Sequence, residues 1–111
     1  MPQTNKLFQT PPYAVEDSLR RIGLNLRIAR KRRKLTIAQV AEKIGAGVRA
    51  ISDAEKGKPS TAISVYIALL WAYDLLCDIK DVASPLKDVE GLHLAELKAG
   101  HSLRTAIDND F

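Results

Sequence analysis

The sequence predicts an all-α chain with five helices. Apolar residues recur at spacings of three and four, strand-like alternation persists nowhere beyond a few residues, and helix start and stop signals punctuate the chain without a fixed-period repeat. The hydrophobic fraction of 46% and charged fraction of 27% are those of an ordinary globular chain and argue against wholesale disorder. At 111 residues there is material for one core and its extensions.

Residues 1–14 hold Pro2, Pro11 and Pro12 among polar side chains, a composition that buries too little surface to repay ordering, so a flexible arm is expected. The first helix begins near Val15, sets Leu19, Ile22, Leu26 and Ala29 on one face, and ends near Arg33. Thr36 then caps a second helix, with Gln39 reaching back as its partner and Val40, Ala41 and Ile44 as the buried stripe. Gly45-Ala46-Gly47 makes the turn, because glycine accepts the positive φ of a sharp helix exit. A third helix runs from Val48 to about Lys56, where Gly57-Lys58-Pro59 stops it. Ser60 or Thr61 caps a fourth, whose Ile63, Ile67, Leu70 and Trp71 are expected at the hydrophobic centre. A short fifth helix spans Leu75 to Val82. Ser84-Pro85 and Gly91 then break the pattern, and Gly100 divides the remainder. The chain thus divides into an arm (1–14), a helical domain (15–83) and an extension (84–111).

Several classes of function are set aside by what the sequence lacks. The apolar run at residues 62–73 is interrupted by Ser64 and falls short of the roughly 20 residues a bilayer requires, so no membrane association is expected. The N-terminus lacks the basic and apolar stretches of a secretion signal, and one cysteine forms no internal disulfide; together these point to a reducing cytoplasm. Cys77 reads as a small core residue. No nucleophile with a base, paired carboxylates, metal-ligand cluster or phosphate-binding glycine loop is present, so no catalytic residue, metal or cofactor is assigned. His93 and His101 read as surface histidines and Asp108 and Asp110 as a polar ending. Trp71 and Tyr73 read as core, with room for one of them to face a dimer partner.

The net charge of +4 conceals a division. Residues 1–58 carry thirteen Lys and Arg against five Asp and Glu, whereas residues 59–111 carry four against eight. Eight of the seventeen basic residues lie between Arg20 and Lys34 with no acid among them, a footprint suited to phosphates, although a solvated helix face has the same composition.

The stretch Leu26-Arg27, Arg30, Leu35-Thr36, Val40-Ala41, Gly45, Ile51, Glu55 and Gly57 resembles the Xre and Cro/CI family of phage and bacterial repressors, over about residues 22–73. The resemblance implies a Cro/CI repressor-like helix-turn-helix fold that binds double-stranded DNA. It implies that Ala41 is small because the two motif helices cross there, that Gly45 makes the turn, and that Arg30 and Glu55 form a structural ion pair. The third helix would lie in the major groove, with Ile51 and Ala54 facing the core. Arg49 is the strongest base reader, since guanidinium to guanine is the commonest specific contact. Val48 suits a thymine methyl, Ser52 and Asp53 share the outward side, and Lys56 reaches a phosphate. Gly47 stands where Ser or Thr usually caps this helix. Ile37 stands where many members carry a phosphate-binding glutamine, with Gln39, Lys43 and the basic stretch from Arg27 to Lys34 as replacements. The DNA-contacting set is completed by Thr36, Gly47 and Lys58.

A homodimer on an inverted repeat is expected, with half-sites about 10 base pairs apart and an interface on the apolar edge Leu75, Leu76, Ile79 and Val82. The extension from Ser84 to Leu92 and the ending Asp108-Asn109-Asp110-Phe111 are similar to HipB-like antitoxins, which implies a HipA-like kinase toxin as partner and repression of the shared operon. A phage-type or stand-alone repressor, or a module whose main task is neutralising a partner, accounts for the same residues.

Overall fold

The structure of the protein, a computed structural model, describes residues 5–109, with side chains for 5–99. Met1 to Thr4 of the expected arm, the ending Asp110-Phe111 and the side chains of His101 and Asp108 lie outside the described residues. The fold is all-α and of the Cro/CI helix-turn-helix type. Among the described residues it has six α-helices and one 3-10 turn: α1 (Lys6–Gln9), α2 (Tyr13–Arg32), α3 (Ile37–Ile44), α4 (Val48–Glu55), α5 (Ile63–Ala72), the turn Leu76–Asp78, and α6 (Val89–Asn109). The chain divides into two compact units, Met1–Leu76 and Cys77–Phe111.

The first unit packs α2, α3, α4 and α5 around Leu26, Val40, Ile51, Leu69 and Tyr73. The expected arm contains the short α1, whose Asn5 side chain accepts from the Leu7 amide, and α2 begins at Tyr13, directly after Pro12. The buried face of α2 is Gly23, Leu26, Ala29 and Arg30, with Leu19 packed alongside. Ile22, expected inside, is exposed. Gly23 takes the inward place because α2 meets the end of α4 backbone to backbone: a Cβ there would lie 2.6 Å from the carbonyl oxygens of both Ala54 and Glu55. Gly57 completes this approach, at φ +72° and with a Cβ position 2.7 Å from the Leu19 carbonyl.

In α3 the Thr36 hydroxyl accepts from the Gln39 amide at 3.0 Å while the Thr36 amide donates to Gln39 Oε1 at 2.8 Å, a reciprocal cap. Gly45 ends α3 in the left-handed region at φ +74°, its amide donating to Ala41 O. Gly47 caps α4 with extended backbone and no side-chain bond.

The expected cap at Ser60 or Thr61 is absent: α5 starts after Ala62, since the Thr61 amide closes a turn onto Lys58 O instead. Its buried face is also rotated from the expected one. Tyr66 and Leu69 point inward with Tyr73 following, while Ile63 and Trp71 face outward. The expected fifth helix over Leu75 to Val82 is replaced by the short 3-10 turn. Asp74, at φ +63°, lets the Leu75 amide bond back to Leu70 O, which directs Leu75 onto the core. Leu75, Leu76, Ile79 and Val82 therefore share no helix face, and Val82 is exposed.

In the second unit, turns through Ala83 and Pro85 lead into α6, which runs through both Gly91 and Gly100 rather than breaking there. Gly91 sits in the first turn, where its amide donates to Asp88 Oδ1 at 2.9 Å, so the glycine falls at a capped end that tolerates it. Cys77, expected in the core, is exposed. His93 is exposed. No helix among the described residues is long and apolar enough to cross a membrane.

Tyr73 is 1% exposed and its hydroxyl has no hydrogen-bond partner. Burial pushes its pKa up to about 12; the Glu55 carboxylate adds to the rise and Arg30 and Arg33 oppose it. In the unfolded chain the phenol ionises near its ordinary 10.0, so the associated stability is complete below that pH and is lost as pH climbs to about 12. Tyr73→Phe is expected to leave stability at neutral pH equal or higher, because an unpaired buried hydroxyl is removed, and to lessen the alkaline loss. Urea unfolding at about pH 7 and about pH 11 checks both parts.

Candidate nucleic-acid interface

An eight-residue helix has few ways to be held firmly, and α4 uses its apolar side and its C-terminal end. Ile51 and Ala54 are wholly buried against α2, α3 and α5. Helical periodicity then turns Val48, Arg49 and Lys56 to solvent, with Ser52 half-buried between them. Val48 is 53% exposed.

The end of α4 is fixed by Glu55. Arg30 Nε donates to Glu55 Oε2 at 2.6 Å and Arg30 Nη2 donates to Glu55 Oε1 at 3.0 Å, a two-bond fork, while Arg30 Nη1 donates to Leu35 O at 2.9 Å. Both side chains are below a tenth exposed, at 9% and 6%. The bond to Glu55 raises the Arg30 pKa against the opposing effect of burial. One guanidinium therefore joins three elements: α2, the start of the α3 segment and the end of α4.

Other expected contacts fall in varied places. Asp53 and Lys58 pair with each other at 3.2 Å, which places the one acid of the outward side next to its own cation. Thr36 Oγ1 and Gln39 Oε1 are engaged in the α3 cap. Lys43 Nζ donates to Ala72 O at 3.4 Å and stands 5.9 Å from the Trp71 ring centre, at the end of α5. Ile37 packs against the core. Arg27, Arg49 and Lys56 are exposed, and no salt bridge involves them among the described residues.

Sequence reasoning missed Arg33. It sits within the basic run, yet its Nη1 donates to Ala29 O at 2.9 Å, its Nη2 donates to Tyr73 O at 2.8 Å, and it lies over the Tyr73 ring at 5.5 Å. It joins the end of α2 to the end of α5. Nothing in the sequence separates Arg33 from its basic neighbours; the distinction depends on where α5 ends.

Two short helices packed together with Ala41 buried, a left-handed glycine between them and a second helix with a solvent-facing polar side define a helix-turn-helix domain. A family model described as helix-turn-helix domain matches residues 21–78, more than half of the chain, and the protein belongs to that family. No curated protein and no solved structure gives a significant match. Among the described residues, no group of three or more His, Cys, Asp or Glu is arranged to hold a metal ion.

Removing one member of the Arg30–Glu55 pair strands a buried charge. Arg30→Met and Glu55→Met should each cost about 3–5 kcal/mol of unfolding free energy, while the two together should restore much of it. Denaturant midpoints of the four chains form the cycle that checks this.

Proposed function

We propose that the protein is a sequence-specific regulator that represses transcription in the cytoplasm by binding an inverted-repeat operator as a homodimer. The observation that carries this reading is the outward side of α4, where Val48, Arg49, Ser52 and Lys56 are presented while Ile51 and Ala54 anchor the opposite side. Such a side suits the major groove: Arg49 offers two parallel donors to guanine, Val48 a surface for a thymine methyl, and Lys56 a cation for phosphate. Asp53, paired with Lys58, is assigned the edge of the contact rather than base reading.

Arg49 and Arg27 have different jobs in this scheme. Arg49→Ala should flatten discrimination at one operator position, a loss of about 1–3 kcal/mol against the preferred base. Arg27→Ala should weaken specific and random duplexes alike and reduce the slope of log K against log salt by about 1. Salt-titrated binding to operator and scrambled duplexes separates the two. Equal weakening of both duplexes by Arg49→Ala would remove Arg49 from base reading.

The reading extends to an antitoxin and autorepressor partnered by a HipA-like kinase toxin. It is supported by the resemblance of the extension and by the second unit's exposed apolar residues, which include Leu86, Val89, Leu92 and Leu97. A stand-alone or phage-type repressor is the alternative. Val89→Asp with Leu92→Asp should abolish co-purification with a kinase encoded beside this gene and leave operator binding intact. Retention of the kinase by that variant would remove Val89 and Leu92 from the contact, whereas failure of the unmodified chain to co-purify with a kinase, or absence of such a neighbouring gene, would favour the stand-alone reading.

A further inference from the structure

The Gly57 turn ends α4 with two nested backbone bonds: the Gly57 amide donates to Ala54 O at 3.0 Å and the Lys58 amide donates to Asp53 O at 3.1 Å. A cap of this form brings the side chains of its first and last residues together, and an apolar contact commonly joins them. Here the two are Asp53 and Lys58, and Lys58 Nζ lies 3.2 Å from Asp53 Oδ1. Lys58 is held on its other side as well. Its carbonyl accepts from the Thr61 amide at 3.1 Å and from the Tyr66 hydroxyl at 3.4 Å. A fastened loop therefore delivers the ammonium to Asp53.

Asp53 has another cation one helical turn away. Arg49 stands four residues earlier on α4, a spacing at which opposite charges pair on a helix surface. Arg49 is nonetheless exposed, and no salt bridge involves it among the described residues. The acid takes the cation across the turn instead, and its side chain is only 24% exposed. Burial pushes the pKa of the Tyr66 phenol up and the Asp53 carboxylate adds to the rise, which sets that carboxylate near α5. We infer that Lys58 is a positioning residue for base reading: it holds the Asp53 carboxylate away from Arg49, so that the Arg49 guanidinium meets DNA unpaired.

The inference rests on the reading of Arg49 given above, and it gives Lys58 a task other than a phosphate contact. A lysine that bonds phosphate strengthens binding to every sequence alike, whereas a lysine that occupies Asp53 strengthens discrimination at the base pair Arg49 reads. Without Lys58 the carboxylate turns to Arg49, accepts the donors that guanine needs, and stands unneutralised beside the phosphates.

The test uses a duplex selected from a random pool by the unmodified chain, the same duplex changed at the base pair where Arg49→Ala loses discrimination, and a scrambled duplex. Lys58→Met should lower discrimination at that base pair about tenfold, the lower end of what a two-bond contact to guanine supplies. Lys58→Arg should keep it, since a guanidinium also pairs with a carboxylate. Lys58→Met with Asp53→Asn should restore it to within about twofold, a rescue that mere loss of the helix cap would not give. In magnetic resonance spectra of the free chains, the Arg49 Nε–H signal should shift in Lys58→Met and return in the double variant. Equal weakening of all three duplexes by Lys58→Met, with the salt slope reduced by about 1, would make Lys58 a phosphate contact and overturn the inference. A loss of discrimination that Asp53→Asn does not rescue, or an Arg49 signal that does not move, would also overturn it. A signal that moves as expected in a chain that prefers no duplex upholds the exchange of ion-pair partners and overturns the DNA reading instead.

Discussion

The bond between Arg30 and Glu55 is the constraint on which the rest of this domain depends, because it fixes the end of a helix too short to fix itself. Eight residues give α4 about two turns, and helices of that length are unstable alone. Its N-terminus has only a glycine cap, which supplies no side-chain bond. Order must therefore come from the buried side chains and from the far end. The Arg30 fork grips that end while its remaining bond reaches Leu35 O, just before α3. Gly23 and Gly57 are the steric counterpart of the fork: side chains at either would push α2 away from the end of α4 and lengthen the bonds. Charge and close approach thus impose the same geometry. That agreement makes the direction of α4 a property of the fold.

α5 closes the arrangement from the opposite side. Tyr66 and Leu69 fill the space under α3 and α4, and the sharp turn at Asp74 returns Leu75 to the core. Arg33 holds that turn by bonding Tyr73 O, and the Tyr73 ring lies beneath its guanidinium. The cost is a buried phenol with no partner, the reason its ionisation is displaced so far. Two arginines three residues apart, Arg30 in the last turn of α2 and Arg33 just after it, therefore tie down the ends of two different helices.

Legibility followed the strength of local signals. The Thr36-Gln39 cap, the left-handed Gly45 and the inward Ile51 and Ala54 could be read because each has a local physical cause that tertiary packing did not override. The buried face of α5 could not be read: a helix apolar on all sides has no periodicity to show which side is inward, and Ile63 and Trp71 were consequently placed inside. Ile22 failed differently. It has the expected spacing, but the inward place went to Gly23 because backbone contact excludes a side chain, and no pattern based on apolar residues selects a glycine. Gly91 looked like a break because glycine usually weakens a helix, whereas at a capped first turn the penalty is tolerated. The outward side of α4 follows from the inward one, so Val48, Arg49 and Lys56 were legible once the family resemblance had set Ile51 and Ala54 inward. Asp53 and Lys58 were not legible as a pair, since their contact forms across the Gly57 turn.

The basic run of α2 gives a larger impression of a phosphate footprint than its geometry allows. Arg30 and Arg33 spend their donors inside the protein, and Arg20 and Arg21 pair with Glu16 and Asp17 one turn before them. The cations left to meet solvent on that helix include Arg27, Lys31 and Arg32. Fewer phosphate contacts mean a shallower salt dependence and a smaller sequence-independent share of the binding energy. In the proposed reading, more of the discrimination would then fall to α4, where Arg49 is the strongest donor and Val48 the nearest apolar surface. One such helix reads only a few base pairs. The same two arginines that hold the ends of α4 and α5 in place are therefore withdrawn from any contact with phosphate, so rigidity of the domain and breadth of its basic surface are obtained at each other's expense.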